Sequence, residues 1–236
     1  MSIDPEVVGA GLRRLARGEP GSDIVQTLTD ITHACVDIFG VSGSGIMIAD
    51  EQDLPRDVAA SDPEGRILER AETQTRQGPC TQAFVTGLLV DSRDLQADRR
   101  WPELAALLEG HPVRAVIGVP VRLGGAPVGT LDLYRSDIHE WDDSERTAVQ
   151  RFAEVVESTL AAAMAAHAAG ELARQLQYAL DYRVVIERAI GFLMAVERVD
   201  AVQAFDRLRQ AARSSRRKIG AVAEDLLRTG RLPASR

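Results

Sequence analysis

From Ser144 onward the chain carries no strand pattern, whereas the residues before it mix helical and strand-like runs. That change of period constrains the fold most, because it calls for a mixed α and β unit first and an all-helical unit second. In the helical part, Phe152, Val156, Leu160, Met164, Ala168, Leu172, Leu176, Leu180 and Val184 recur at every fourth position. Such a stripe either packs along the first unit or pairs with a second copy, and the pattern leaves both open. An interruption falls near Gly170. The rest divides into AVQAFDRLRQAARSSRRK and GAVAEDLLRTG, separated at Ile219-Gly220. With the end of the long helix these segments make a three-helix unit, too short for a large core of its own.

The first unit reads as α+β, an antiparallel sheet flanked by helices. Ile24, Leu28, Ile31, Cys35 and Ile38 follow helical spacing, with Ser22 or Asp23 as cap and Gly40 as stop. SGIMIAD is a short strand that LPRDVAASD can pair with. PEGRILERAETQTRQ is helical and ends at Gly78-Pro79, TQAFVTG is a short helix, LLVDS a short strand, and DRRWPELAALLEG a loop and helix. Two β-rich runs in RAVIGVPVRLGGAPVGTLDLYRSD flank LGGAP, a glycine-rich turn, and so form a hairpin. Asp142 to Ser144 supply cap candidates for the helix that follows. Trp101 packs a lid-like loop over the sheet.

Charge divides the chain at the same place. Residues 1–165 carry 15 basic and 27 acidic side chains, and residues 166–236 carry 13 and 8, so the net charge of -7 hides a basic segment. This asymmetry fits a polyanion partner, or a basic helix face docked on its acidic neighbour. Catalytic and metal-binding classes find no support. His33, His111, His139 and His167 form no metal-spaced pair, and Cys35 and Cys80 have no ligand neighbours. Sparse cysteine, no long apolar run and no secretory leader at the N-terminus point to the cytoplasm, with no membrane span.

Three ordered blocks in the basic segment resemble the ANTAR family of RNA-binding antitermination domains. They are RVVIERAIGFLM (Arg183 to Met194), AFDRLR (Ala204 to Arg209) and SSRRKIGAVA (Ser214 to Ala223). Tyr182, Ile190, Ala212 and Arg216 depart from the residues common there. The first unit resembles GAF domains at QGPC (Gln77 to Cys80) with Ala83, at VDSRD, at RRWPEL and at VPVRLGGAPVGTLDLYR. The two resemblances imply a mobile tail over residues 1–20, a GAF sensor over 21–165, a helical connector over 166–180 and an all-α, three-helix ANTAR domain over 181–236. They also imply a homodimer formed through the connector. The partners are structured RNA stem-loops and a small molecule in the sensor. The ligand or cofactor is unknown, because GAF ligands vary widely.

Site candidates follow. On a helix Arg209, Arg213, Arg216 and Arg217 fall on one side, and arginine's planar fork suits phosphate. The resemblance adds Arg183, Ala189, Gly191, Ser215 and Lys218 as RNA-contact candidates. Gly191 admits two readings, close approach of RNA or tight helix packing, since a mid-helix glycine costs about 1 kcal/mol. Cys80 precedes a short helix, where a lowered pKa would allow redox sensing. Some GAF folds reduce methionine sulfoxide, but that chemistry uses several cysteines. The leading expectation is a non-enzymatic regulator that prevents transcription termination. The alternatives are a regulator acting through DNA, and a ligand- or redox-sensing module acting through protein contacts.

Overall fold

The structure is a computed structural model that describes residues 24–50, 54–165 and 171–233. The expected tail over residues 1–20, the first connector residues and the interruption near Gly170 lie outside the described residues.

The order is α1 (Ile24–Phe39), β1 (Gly43–Ala49), β2 (Pro55–Ala60), α2 (Pro63–Thr75), α3 (Pro79–Thr86), β3 (Val90–Ser92), α4 (Pro102–Leu107), β4 (Ala115–Leu123), β5 (Ala126–Arg135), α5 (Asp143–Ala165), α6 (Glu171–Glu197), α7 (Ala201–Ser215) and α8 (Ile219–Thr229). Five strands form one sheet in the order β2-β1-β5-β4-β3, every pair antiparallel. Gly124 and Gly125 make the two-residue β4–β5 turn, both at positive φ (58° and 86°). Positive φ at both central positions is what a tight hairpin matched to strand twist requires.

Side-chain alternation assigns the two faces of the sheet. Ile46, Ile48, Ile117, Val119, Leu131 and Leu133 point to one face, where α1 and α5 cover them through Leu28, Ile31, Phe152 and Val156. Their neighbours Met47, Val116 and Tyr134 point to the other, beneath Leu68, Cys80, Trp101 and Leu104 of α2 to α4 and the loop between them. The first unit is therefore a sheet between two helical layers. Asp142 opens α5 by accepting the Ser144 and Glu145 N–H groups at 2.8 and 2.9 Å, while Glu145 accepts the Asp142 N–H at 2.9 Å. These reciprocal bonds satisfy amide donors that a helix start leaves open.

The last three helices close a separate core of Ile186, Leu193, Phe205, Leu208, Val222 and Leu226, and Ala49, Phe84 and Val85 of the sheet unit belong to the same core. The helical unit thus borrows apolar surface from the sheet unit, in keeping with its short length. One sequence expectation is corrected in detail. The α7–α8 break falls at Arg216 to Lys218, one step before Ile219-Gly220, because Arg216 turns left-handed (φ 54°) and ends α7.

Candidate nucleic-acid interface and the sensor core beneath it

Beneath α2 and α3 the sheet buries an acidic cluster. On β5, Asp132 shares the inner face of Tyr134, and α2 lowers Glu69 and Glu72 onto it; all three carboxylates are buried. Glu72 accepts the N–H groups of Cys80 at 3.3 Å and Thr81 at 2.7 Å, so it caps the N-terminus of α3. Burial pushes Glu72 up to about 7 even though those bonds pull it down. Asp132 is held well above the usual carboxylate range by burial and by Glu72, and Glu69 by burial, Asp132 and Asp57. The close seat of α3 requires Gly118 on β4, where a Cβ would lie 2.8 Å from the Cα of Cys80.

Cys80 sits where the sequence placed it, at the start of a helix, but with the opposite electrostatics. Its thiol is fully buried, and burial together with Asp132 and Glu72 drives its pKa well up. The helix N-terminus is outweighed by desolvation and two carboxylates, so the reactive thiolate that redox sensing needs is disfavoured. Cys35 is likewise free and buried, pushed up to about 12 chiefly by burial, and it lies in the core on the other face of the sheet.

The far end of α3 holds the helical unit. Arg183 of α6, fully buried, donates from Nη2 to the Phe84 carbonyl oxygen at 2.9 Å and stacks 4.2 Å from the centre of the Phe84 ring. Phe84 in turn meets Phe205 edge-on, with ring centres 6.3 Å apart. A desolvated guanidinium on an aromatic face contributes about 2 kcal/mol, and its bond to a buried carbonyl adds to that. Arg183 was expected to touch RNA; the structure instead makes it an anchor between the two units.

The remaining candidates divide clearly. Arg209, Arg213, Arg216, Arg217 and Lys218 line one groove. Arg213, Arg216, Arg217 and Lys218 are exposed, whereas Arg209 is 5% exposed, lying 5.4 Å from the Phe205 ring centre and 3.8 Å from Asp206. Arg217 pairs with Asp225 at 2.6 Å, and the Lys218 Nζ lies 4.9 Å from the Tyr178 ring centre. Ala189 is fully buried among the three helices, and the Ser215 hydroxyl donates to the Ala211 carbonyl at 2.6 Å. Gly191 is exposed, and a Cβ there would meet nothing within 4 Å. The tight-packing reading of Gly191 is therefore wrong, and the packed glycine is Gly220, against the Tyr182 ring.

The sheet unit's share of this surface left no sign in the sequence. Arg56, Arg70 and Arg76 line the adjoining part of the groove. They lie in an acidic half of the chain, and no spacing pattern ties them to α7. The acidic cluster left none either, because Thr130, Asp132 and Tyr134 alternate like a solvent-facing strand edge and only the overlying helices bury them. Among the described residues, no helix is long and apolar enough to cross a membrane.

Comparison with known proteins fits this division. A GAF domain family model matches residues 23–160, and an ANTAR domain family model matches residues 174–227. No curated protein matches the chain. Among solved structures, the free methionine-R-sulfoxide reductase of Neisseria meningitidis, in complex with its substrate, is similar at 20% identity. That match covers 68% of this chain and 90% of the other, with a TM-score of 0.55. The GAF domain of an Acinetobacter phosphoenolpyruvate-protein phosphotransferase is 12% identical over 69% of this chain and 95% of its own, TM-score 0.54. The corresponding GAF domain from Coxiella burnetii is 13% identical over 70% and 96%, TM-score 0.53. Identities this low establish a shared fold and nothing of activity.

Proposed function

The chain belongs to the GAF family and carries an ANTAR domain after its GAF domain, and from that premise we propose a signal-responsive regulator that binds paired stem-loops in nascent transcripts and prevents transcription termination. It acts without catalysis, in the cytoplasm, as a homodimer joined through its helical connector. The observation that carries the reading is the exposed run of Arg213, Arg216, Arg217 and Lys218 where α7 turns into α8, inside the ANTAR match of an otherwise acidic chain. The turn between two helices gathers these cations along one groove, which suits the phosphate path of an RNA loop.

The sensor bears on this surface through α3. One end of that helix is capped by Glu72 above the acidic cluster, and the other holds Arg183 and Phe205. A ligand that shifts α3 changes the docking of the ANTAR helices, and its effect is limited to its difference in affinity for the docked and undocked states. Buried Cys80 gives no support to redox sensing, so a small molecule is the favoured signal.

Three measurements test the reading. Crosslinking with sequencing of bound RNA should recover tandem stem-loops, and stem-loop RNA should outcompete duplex DNA for the full chain. Replacing Arg213 or Arg217 with alanine should weaken RNA binding and lower the salt slope by about one per lost phosphate contact. Parent-like binding by both variants would place the contact face elsewhere. Preference for duplex DNA would replace the RNA reading with a DNA one.

A further inference from the structure

The groove beside Arg213 has two walls, and only one belongs to the ANTAR helices. Two adjoining hollows of about 570 and 370 Å³ share Leu54, Arg56, Arg209 and Arg213. The first is lined by five arginines against a single carboxylate, Asp57; Arg56, Arg70 and Arg76 come from the GAF domain. The second adds Arg216, Arg217 and Lys218 and no acidic residue. This lining is the reverse of the GAF domain's overall acidity.

We propose that the RNA-binding surface runs across this groove onto the GAF domain, so that Arg56, Arg70 and Arg76 take phosphates of the same stem-loop that Arg213 and Arg216 hold. The inference rests on the RNA-binding reading given above and extends it to a second module.

Three observations support it. Packing this many cations together costs repulsion that a bound polyanion would relieve. Arg70 and Arg213 are exposed, and no ion pair engages either among the described residues. Arg56 is tied to Asp50 at 2.8 Å and Arg76 to Asp206 at 3.6 Å, with arginine side chains 50% and 37% exposed. The Arg76 pair, exposed on both sides, holds weakly and can be exchanged for phosphate, whereas Asp50 is largely buried and keeps the half-exposed Arg56 in place at the groove. The third is conformational. Arg76 and Arg216 end α2 and α7 in the left-handed region, at φ 58° and 54°. Glycine is the usual residue at such a cap, so arginine at both accepts backbone strain where the groove gains charge.

A groove made by two modules exists only while they are docked. RNA held there therefore favours the docked state, and the docked state favours RNA to the same degree.

The test uses the full chain and a fluorescein-labelled tandem stem-loop RNA enriched on it from a randomised pool, read by anisotropy across a salt series. Arg70→Gln and Arg76→Gln should each raise Kd roughly fivefold and reduce the salt slope by about one, as Arg213→Gln does. Arg70→Lys should keep the slope of the parent. Arg70 is exposed, so its variants should melt like the parent, which separates contact loss from misfolding. If Arg213→Gln weakens binding while Arg70→Gln and Arg76→Gln leave it unchanged, the footprint ends on the ANTAR helices. That result overturns this proposal and leaves the RNA reading intact. If the parent retains no RNA from the pool, both fall. Inorganic phosphate at constant ionic strength should not displace the RNA; displacement would mean a small-anion site and overturn the extended footprint.

Discussion

Glu72 sits in an environment far from that of a solvated carboxylate. Its two oxygens receive the amides of Cys80 and Thr81, yet burial dominates and lifts it from an ordinary 4.5 to about 7. Between those values the folded chain keeps a proton that the unfolded chain releases. Its stabilisation is therefore full below the unfolded value and is lost as pH rises through about 7. Glu69 and Asp132, also pushed up, act with the same sign. Asp94 and Asp225, held below the ordinary 3.8 by Arg114 and by Arg228 with Arg217, act oppositely and only at lower pH. Denaturant titrations should show unfolding free energy falling from about pH 5 to about pH 8, with a shallower fall in Glu72→Gln. An unchanged slope in that variant would move the effect to its neighbours. None of this was legible in the sequence, where Glu72 reads as one more polar position on a helix face. The same blindness placed Arg183 on RNA: arginine in a family block looks like a contact until the fold buries it.

At the scale of elements the sequence was far more explicit. The hairpin about Gly124-Gly125, the helix ended near Gly40 and the pairing of β1 with β2 all follow from period and turn residues. What failed was the break between α7 and α8, because Arg216 ends the helix left-handed where glycine would be the usual signal. Gly191 and Gly220 of the helical unit show the same limit, since spacing cannot tell a packed glycine from an open one. Gly220 lies against the Tyr182 ring, so Gly220→Ala should cost about 1–3 kcal/mol by forcing α6 and α8 apart. Gly191 lies mid-helix with open space around it, so Gly191→Ala should stabilise by about 1 kcal/mol. A glycine that weakens its helix and packs against nothing fits the close RNA approach that the ANTAR resemblance implies. Gly191→Ala should thus melt higher and bind stem-loop RNA more weakly. Higher melting with parent-like affinity would remove Gly191 from the interface.

Across the whole molecule, periodicity separates a sheet unit from a helical unit and is silent on how they meet. Docking depends on Ala49, Phe84 and Val85 completing the core of the last three helices, and on a carbonyl that Arg183 reaches across 99 positions of sequence. No local pattern encodes such a contact, although the small size of the helical unit pointed to a core it could not fill alone. The energetic consequence is cooperativity. If the sensor supplies part of the ANTAR core, the three helices gain a large share of their stability from docking, and the chain should unfold in one calorimetric transition. Phe84→Ala removes the ring between Arg183 and Phe205, and a buried Phe→Ala change costs about 3–5 kcal/mol. That loss falls on the interface, so the variant should show two transitions, the helical unit melting first and the sheet later. Binding of stem-loop RNA in the composite groove should bring the two back together, because RNA contacts both units only when they are docked. Two separate transitions in the parent would mean that the contact is too weak to couple sensor and reader, and α3 would then not carry the signal.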